Sequence, residues 1–247
     1  VEKVKASRRI PPPDRKPVVD LADVKDIYSF DKQRLWINTV YPATEADNWF
    51  ASATAAYWQM LNGVTADPSS TMPLMRDGLA EMNCRLLYTV AREGTMVPVK
   101  AQRVYDRFNN YVIPRIRGTY ALHQLRLALG NTPFADVMNA VHTRFREKPM
   151  TTKQFIAAAE EISGKPVAPL VMPWLDRDDL PQVSVAASLS GEDLVLHIQQ
   201  TGTPYLFSTT VEIETDKGSV WKPVAVRSAD ERVTLRVAGT PHTVVFN

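Results

Sequence analysis

The sequence predicts an α+β fold, a mainly helical unit followed by a small antiparallel β-sandwich. Two observations carry this. Over residues 46–150 apolar residues recur every three or four positions and the segments stop at glycines, as amphipathic helices do. After PWLDRDDLP (173–181) the apolar spacing drops to two, with turn residues about every ten positions, as short strands do. The chain therefore divides into a lead-in over 1–45, a helical unit over 46–179 and a β unit over 180–247.

Taken in order, VEKVKASRRIPPPDRKPV (1–18) reads as an extended arm. Pro11, Pro12 and Pro13 forbid a helix and favour polyproline II. The arm is either a linker from an upstream domain or a docking motif for another protein. The alanine-rich EADNWFASATAAYWQMLNG (45–63) reads as a helix ending at Gly63, and MRDGLAEMNCRLLY (75–88) as another. In RGTYALHQLRLALG (117–130), Leu122, Leu125 and Leu129 share a face and Gly130 ends the helix. In TTKQFIAAAEEISG (151–164), Thr151 and Gln154 form a capping box and Gly164 is the stop, with Phe155, Ala158 or Ala159, and Ile162 facing inward. Beyond 180, Leu194, Leu196 and Ile198 alternate, as do Val211 and Ile213 before a turn at Asp216-Lys217-Gly218. Two further strands flank Gly239-Thr240-Pro241.

Composition removes several function classes. The chain has 247 residues, 45% hydrophobic and 23% charged, and a net charge of +2, which gives no case for nucleic acid or an anionic membrane as a main partner. No apolar run reaches about 18 residues, so no helix crosses a bilayer. A single cysteine, Cys84, excludes an intrachain disulfide and is expected to be half-buried. The chain begins at Val1, as a processed chain or a piece of something longer would. His123, His142, His197 and His242 lie at no metal-ligand spacing and are expected to be surface or locally bonded residues. Glu160-Glu161 and Asp178-Asp179 are neighbours that do not face each other on a helix, and are expected to be solvated. There is no phosphate-binding glycine loop and no GxSxG elbow.

Several segments, in order, resemble the zinc aminopeptidases of the membrane-alanyl-aminopeptidase family, within the gluzincin clan. RGTYALHQLRLALGNTPFADVMNAVHTRF is similar to that family's stretch after the active site. TTKQFIAAAEEISGKPVAPLVMPWLDRDDLP is similar to its TxxDFxxxxExxSG…WLxxxGxP segment, and VSVAASLSGEDLVLHIQQTG fits the β-sandwich that follows. The resemblance covers about residues 50–247 and implies the C-terminal, thermolysin-like helical lobe of a catalytic domain plus that sandwich.

The family's HExxH helix places two histidines at i and i+4 on one face to hold zinc, with the glutamate as general base. A further glutamate ligand comes from an NEG turn that starts the next helix. MRDGLAEM (75–82) resembles that turn, with Asp77 at the glutamate. The family spacing then puts Thr54, Ala55 and Trp58 at the two histidines and the base, with Gln59 at the family's usual glutamine. PRIRG (114–118) resembles PYxKG, with Arg115 at the tyrosine that stabilises the oxyanion. Under this register the site is degenerate. One carboxylate cannot hold a catalytic zinc, and threonine and tryptophan are poor replacements for imidazole.

The resemblance thus implies a non-catalytic, metal-free aminopeptidase-like scaffold that binds a protein or peptide. Trp49, Tyr57 and Trp58 would either line its groove or pack in the core. An alternative is the C-terminal portion of an active zinc aminopeptidase whose HExxH helix lies outside this chain. A third is an unrelated helical plus β-sandwich domain. The family's habits favour a location outside the cytoplasm or at a membrane.

Overall fold

The structure, a computed structural model, describes residues 29–30, 33–34, 40–61, 68–93, 96–101, 108–190 and 193–246. The proline arm and Gly63 lie outside these residues.

Six α-helices precede the sandwich among the described residues: α1 (Trp49–Leu61), α2 (Pro68–Glu93), α3 (Phe108–Leu129), α4 (Asn131–Phe145), α5 (Thr152–Ser163) and α6 (Ala168–Asp176). Short strands β1 (Ser29–Phe30) and β2 (Gln33–Arg34) pair antiparallel, and β3 (Tyr41–Pro42) pairs in parallel with β4 (Pro149–Met150). The central helix is α3. Its Leu122, Leu125 and Leu129 are buried, as their spacing predicts. Gly130 ends it with φ +92, a conformation open to glycine, and α4 starts at once.

α1 lies against α3 because both are narrow at the crossing. Gly118 leaves no room for a side chain there: an added Cβ would stand 2.7 Å from Ala53 Cβ and 2.8 Å from Trp49 Cε3. The start of α1 is tied to the start of α5 through Asp47. Its carboxylate accepts from the Thr152 amide (2.7 Å) and hydroxyl (2.9 Å), and from the Thr44 amide and hydroxyl. Four donors satisfy a carboxylate that is otherwise out of water. α5 is capped as expected: the Gln154 amide donates to Thr151 Oγ1, the Thr151 amide donates to Gln154 Oε1, and Gly164 is left-handed at φ +64. Phe155, Ala158 and Ala159 are buried, with Ile162 half-buried against the core.

Of the adjacent acids, Glu161, Asp178 and Asp179 are exposed, as expected, and Glu160 is half-buried; three of the four also have bonded partners. Glu160 Oε1 accepts the Val167 and Ala168 amides at the start of α6 (2.8 and 3.0 Å), and these bonds hold its pKa below the usual carboxylate value. Glu161 forms a two-pronged pair with Arg144. Asp179 is bonded to Arg177 and Tyr205. Apart from Arg177, two residues before Asp179, these partners come from other segments, which neighbour spacing within one helix cannot reveal. Cys84 is exposed rather than half-buried, because its neighbours Asn83 and Arg85 on α2 are exposed with it.

The β unit is two three-stranded antiparallel sheets, in the orders β5-β6-β9 and β10-β7-β8. The strands are β5 (Gln182–Ser190), β6 (Asp193–Thr201), β7 (Phe207–Thr215), β8 (Gly218–Val226), β9 (Asp230–Arg236) and β10 (Pro241–Phe246). The alternating residues Leu194, Leu196, Ile198, Val211 and Ile213 are buried, in one continuous core with the helices.

The junction between helices and sheets is held by Arg117 of α3. Its guanidinium is fully buried and donates to the carbonyls of Pro173 and Trp174 near the end of α6, and to the Asp179 carbonyl and the Tyr205 hydroxyl. A cation suits this place because the last carbonyls of a helix have no partner within it. Arg177 stacks over the Tyr205 ring at 3.8 Å and closes the cluster from outside.

Candidate functional site

Two places could carry function: the positions that the resemblance assigns to zinc, and a cavity between the helices and the sandwich.

At the first, Thr54 and Trp58 share one face of α1, as the i, i+4 spacing requires. That face is closed. Thr54 is fully buried and its hydroxyl donates to the Phe50 carbonyl at 2.6 Å, back-bonding to its own helix. Trp58 is 7% exposed and belongs to the core. Ala55 is half-buried and offers no donor atom. Asp77 lies well inside α2, which begins at Pro68, and not at a turn that opens a helix. Its side chain is 73% exposed and pairs with Arg76 at 3.3 Å. Arg115 donates to Gln59 Oε1 at 3.1 Å, so α1 and α3 do meet at the implied oxyanion position.

Arg115 is thus brought to α1, while Thr54, Trp58 and Asp77 do not converge on a common point. These residues do not fit a zinc ion: one alkyl side chain, one indole, one hydroxyl committed to a carbonyl and one outward carboxylate are not a ligand set. Among the described residues no group of three histidine, cysteine, aspartate or glutamate side chains is placed to hold a metal.

The aromatic residues that could have lined a groove are core residues. Trp49 and Tyr57 are buried, as is Trp58. Trp49 packs edge-on to Phe50 and Phe155, and its indole donates to Thr152 Oγ1 at 2.9 Å. The small residues beside them draw α1 into the middle of the helical layer, which encloses its aromatic side chains.

The second place is a cavity of about 630 Å³. Met75 and Leu79 of α2 and Leu127 of α3 form one side, with Val183, Phe207 and Phe246 at the open end of the sandwich on the other. Its wall is mostly apolar, which suits an apolar group with few polar anchors. His123 of α3 is half-buried in this wall, and Tyr57 lies behind it with its hydroxyl 3.0 Å from His123 Nδ1. Burial, and then the nearby Arg126, push the His123 pKa down to about 3. The ring is therefore neutral at physiological pH, and its Nδ1 shares a hydrogen bond with the Tyr57 hydroxyl. Burial raises Tyr57 to about 12, which keeps it a donor. Trp174, also in the wall, sits between the Tyr120 and Tyr205 rings with its indole N–H buried and without a hydrogen-bond partner. Of the other three histidines expected to be surface or locally bonded, His197 pairs with Asp230 at 2.8 Å. Nothing local in the sequence marks the cavity, whose wall is drawn from six elements far apart in the chain.

No family model matches the sequence. Among solved structures, the chain is similar to Legionella pneumophila aminopeptidase A in complex with aspartic acid, at 12% identity and a TM-score of 0.54, over 83% of this chain and 24% of that one. It is also similar to an M1 zinc metallopeptidase from Deinococcus radiodurans, at 23% identity and a TM-score of 0.45, over 60% of this chain and 31% of that one. The chain thus spans a third or less of the length of these proteins. At such identities the likeness is one of fold: this chain has an aminopeptidase-like α+β fold. Among the described residues no helix is long and apolar enough to cross a membrane.

Proposed function

We propose that the chain is a non-catalytic, aminopeptidase-like scaffold that binds a protein or peptide partner. One observation carries this reading. The face of α1 that bears Thr54 and Trp58 is buried in the core, and Asp77 points away from it into solvent. A hydrolytic zinc needs three protein ligands around one open position, and these residues supply one exposed carboxylate.

Metal content together with aminopeptidase activity tests the reading. Purified, chelator-treated protein is analysed for zinc before and after zinc is added back, and assayed on aminoacyl fluorogenic amides. Zinc well below one per chain, unchanged by added zinc, is the expected result. One tightly held zinc per chain with release of the amino acid would refute it.

The short span relative to the similar aminopeptidases supports a second reading, in which this chain is the C-terminal portion of a working zinc aminopeptidase. The zinc helix then lies in sequence outside these residues. A longer product of the same gene that binds zinc, with Asp77→Ala lowering its zinc content, would favour that reading over the first.

A further inference from the structure

We propose that strand β5 and the adjoining cavity form one binding site for an extended, uncharged segment of a partner protein. The segment adds as a strand to β5, and a large apolar side chain at its Val183 end enters the cavity. This rests on the reading of the chain as a partner-binding scaffold and names the site and the chemistry it selects.

The first observation is the edge itself. Among the described residues β5 is the outer strand of its sheet and is paired on one side only, with β6. It runs for nine residues, about 30 Å, and every one of them is exposed. Its sequence, QVSVAASLS, has no charged residue and no proline. Unpaired strand edges attract other strands, and proteins ordinarily block them with charge, proline, a bulge or short length. The other three edges of the sandwich are blocked in these ways. β9 carries Asp230, Glu231, Arg232 and Arg236, and β8 carries Lys222 and Pro223. β10 is short, starts at Pro241 and has a register irregularity between Pro241 and Thr243. β5 alone among these edges is left open.

The second observation is an uncovered apolar stripe. The register sets Val183, Val185, Ala187 and Leu189 opposite Gln200, Ile198, Leu196 and Leu194. Residues opposite each other in an antiparallel pair share a face, so this stripe is the outward continuation of the sandwich core. Yet Val183 and Val185 are each 36% exposed and Leu189 is 55% exposed. An incoming strand with apolar residues at alternate positions extends the stripe by cross-strand pairs. A charged residue on that face would be taken out of water without a partner. Hence the partner segment is uncharged and alternates.

Third, the stripe runs into the cavity. Val183 belongs to both, and Phe207 and Phe246 stand across from it at 6.5 Å from each other. The volume of about 630 Å³ accepts a phenylalanine-sized side chain with room to spare. Backbone pairing gives affinity and a pocket for a particular side chain gives selectivity, as strand-addition sites do.

Hydrogen–deuterium exchange of the full chain tests this. The probes are two capped octapeptides alternating threonine and valine, one ending in phenylalanine and one in alanine, at about 1 mM, suited to weak strand addition. The phenylalanine probe should slow exchange of amides in 182–190 by about tenfold, and more than the alanine probe does. Val185→Lys, at an exposed position, should abolish the slowing, and Ala80→Phe, which fills the cavity from an exposed site on α2, should equalise the two probes.

Several results overturn the proposal: no slowing in 182–190, slowing that survives V185K, or a preference for phenylalanine that survives A80F. Protection of 182–190 that rises with protein concentration alone also does so, by assigning the edge to a second copy. Protection confined to other segments refutes this site and leaves the scaffold reading standing. Zinc-dependent release of the amino acid from aminoacyl fluorogenic amides refutes the scaffold reading, and is scored apart from the exchange pattern.

Discussion

Gly118→Ala is expected to destabilise the protein, although alanine is the better helix former. Gly118 is the last residue of PRIRG and lies in the interior of α3. In an exposed helix interior the change would stabilise by about 1 kcal/mol. Here the new Cβ would stand 2.7 Å from Ala53 Cβ, 2.8 Å from Trp49 Cε3 and 3.2 Å from the Trp49 carbonyl oxygen. Ordinary carbon–carbon contacts are about 3.5–4.0 Å, so α1 and α3 must separate by close to 1 Å at their crossing. Neither obstacle can swing away: one is a Cβ fixed to a backbone, the other an indole locked by Phe50, Phe155 and Thr152. Overpacking of this kind costs about 3 kcal/mol, at the upper end of the usual range. The net loss is about 2 kcal/mol, or about 4–8 °C in Tm for a chain of this size. Thermal melts followed by far-UV circular dichroism measure it. Gly78→Ala in α2 is the control. There the added Cβ meets the flexible end of Met60 at 3.3 Å, which can rotate aside, so helix propensity decides and the change is neutral to stabilising by up to about 1 kcal/mol. If G118A melts at or above the parent temperature, the close approach of α1 to α3 is wrong, and with it the explanation of the glycine in PRIRG.

Three further outcomes are expected. His123 has a folded pKa of about 3 against an unfolded value of about 6.5, so between these values the unfolded chain takes up a proton that the folded one refuses. Its contribution is complete above about pH 6.5 and is lost as pH falls, by about 2 kcal/mol at pH 4 once screening at the cavity side of the half-buried ring is allowed for. Urea midpoints at pH 7 and pH 4 measure this, and His123→Gln, which keeps an acceptor for Tyr57, should flatten the slope; an unchanged slope rules out His123 as its source. Arg117→Met should cost about 3–5 kcal/mol, because it strips donors from buried carbonyls at the junction, and a denaturant midpoint within error of the parent would contradict this. Thr151→Ala removes the cap of α5 and should cost about 1 kcal/mol, with amides at the start of α5 exchanging faster than the rest; uniform exchange would show that the cap is not what holds this end.

Much of the fold was legible because its signals are local. The capping box at Thr151 and Gln154, the left-handed Gly164 and the alternation Leu194, Leu196, Ile198 each follow from residues within a few positions of one another. What was not legible depends on distant partners. Glu160 looks like a surface acid until α6 is placed beside it. Arg117 looks like a solvated helix residue until the carbonyls near the end of α6 and the Tyr205 hydroxyl converge on it from 56 to 88 residues away. Cys84 sits between polar neighbours on a helix whose apolar residues do not all face inward, since Leu74, Leu87 and Tyr88 are exposed.

The implied zinc positions show the same limit. The spacing of Thr54 and Trp58 puts both on one face of α1, and the sequence alone permits that face to look into a groove or into the core. Small residues decide between these. Ala53 and Gly118 let α1 sink against α3, and the face opposite the solvent then includes Thr54 and Trp58. A hydroxyl that bonds to its own helix and an indole that fills space are what such a buried face accepts; a cation or an open coordination position is not. Asp77 meanwhile stays on the solvent side of α2, a helix whose side chains are largely exposed. Thr54, Trp58 and Asp77 thus each suit the packing or the solvent around them. The exposed apolar surface of the molecule lies instead where the sandwich presents the uncovered strand β5 and the cavity between helices and sheets.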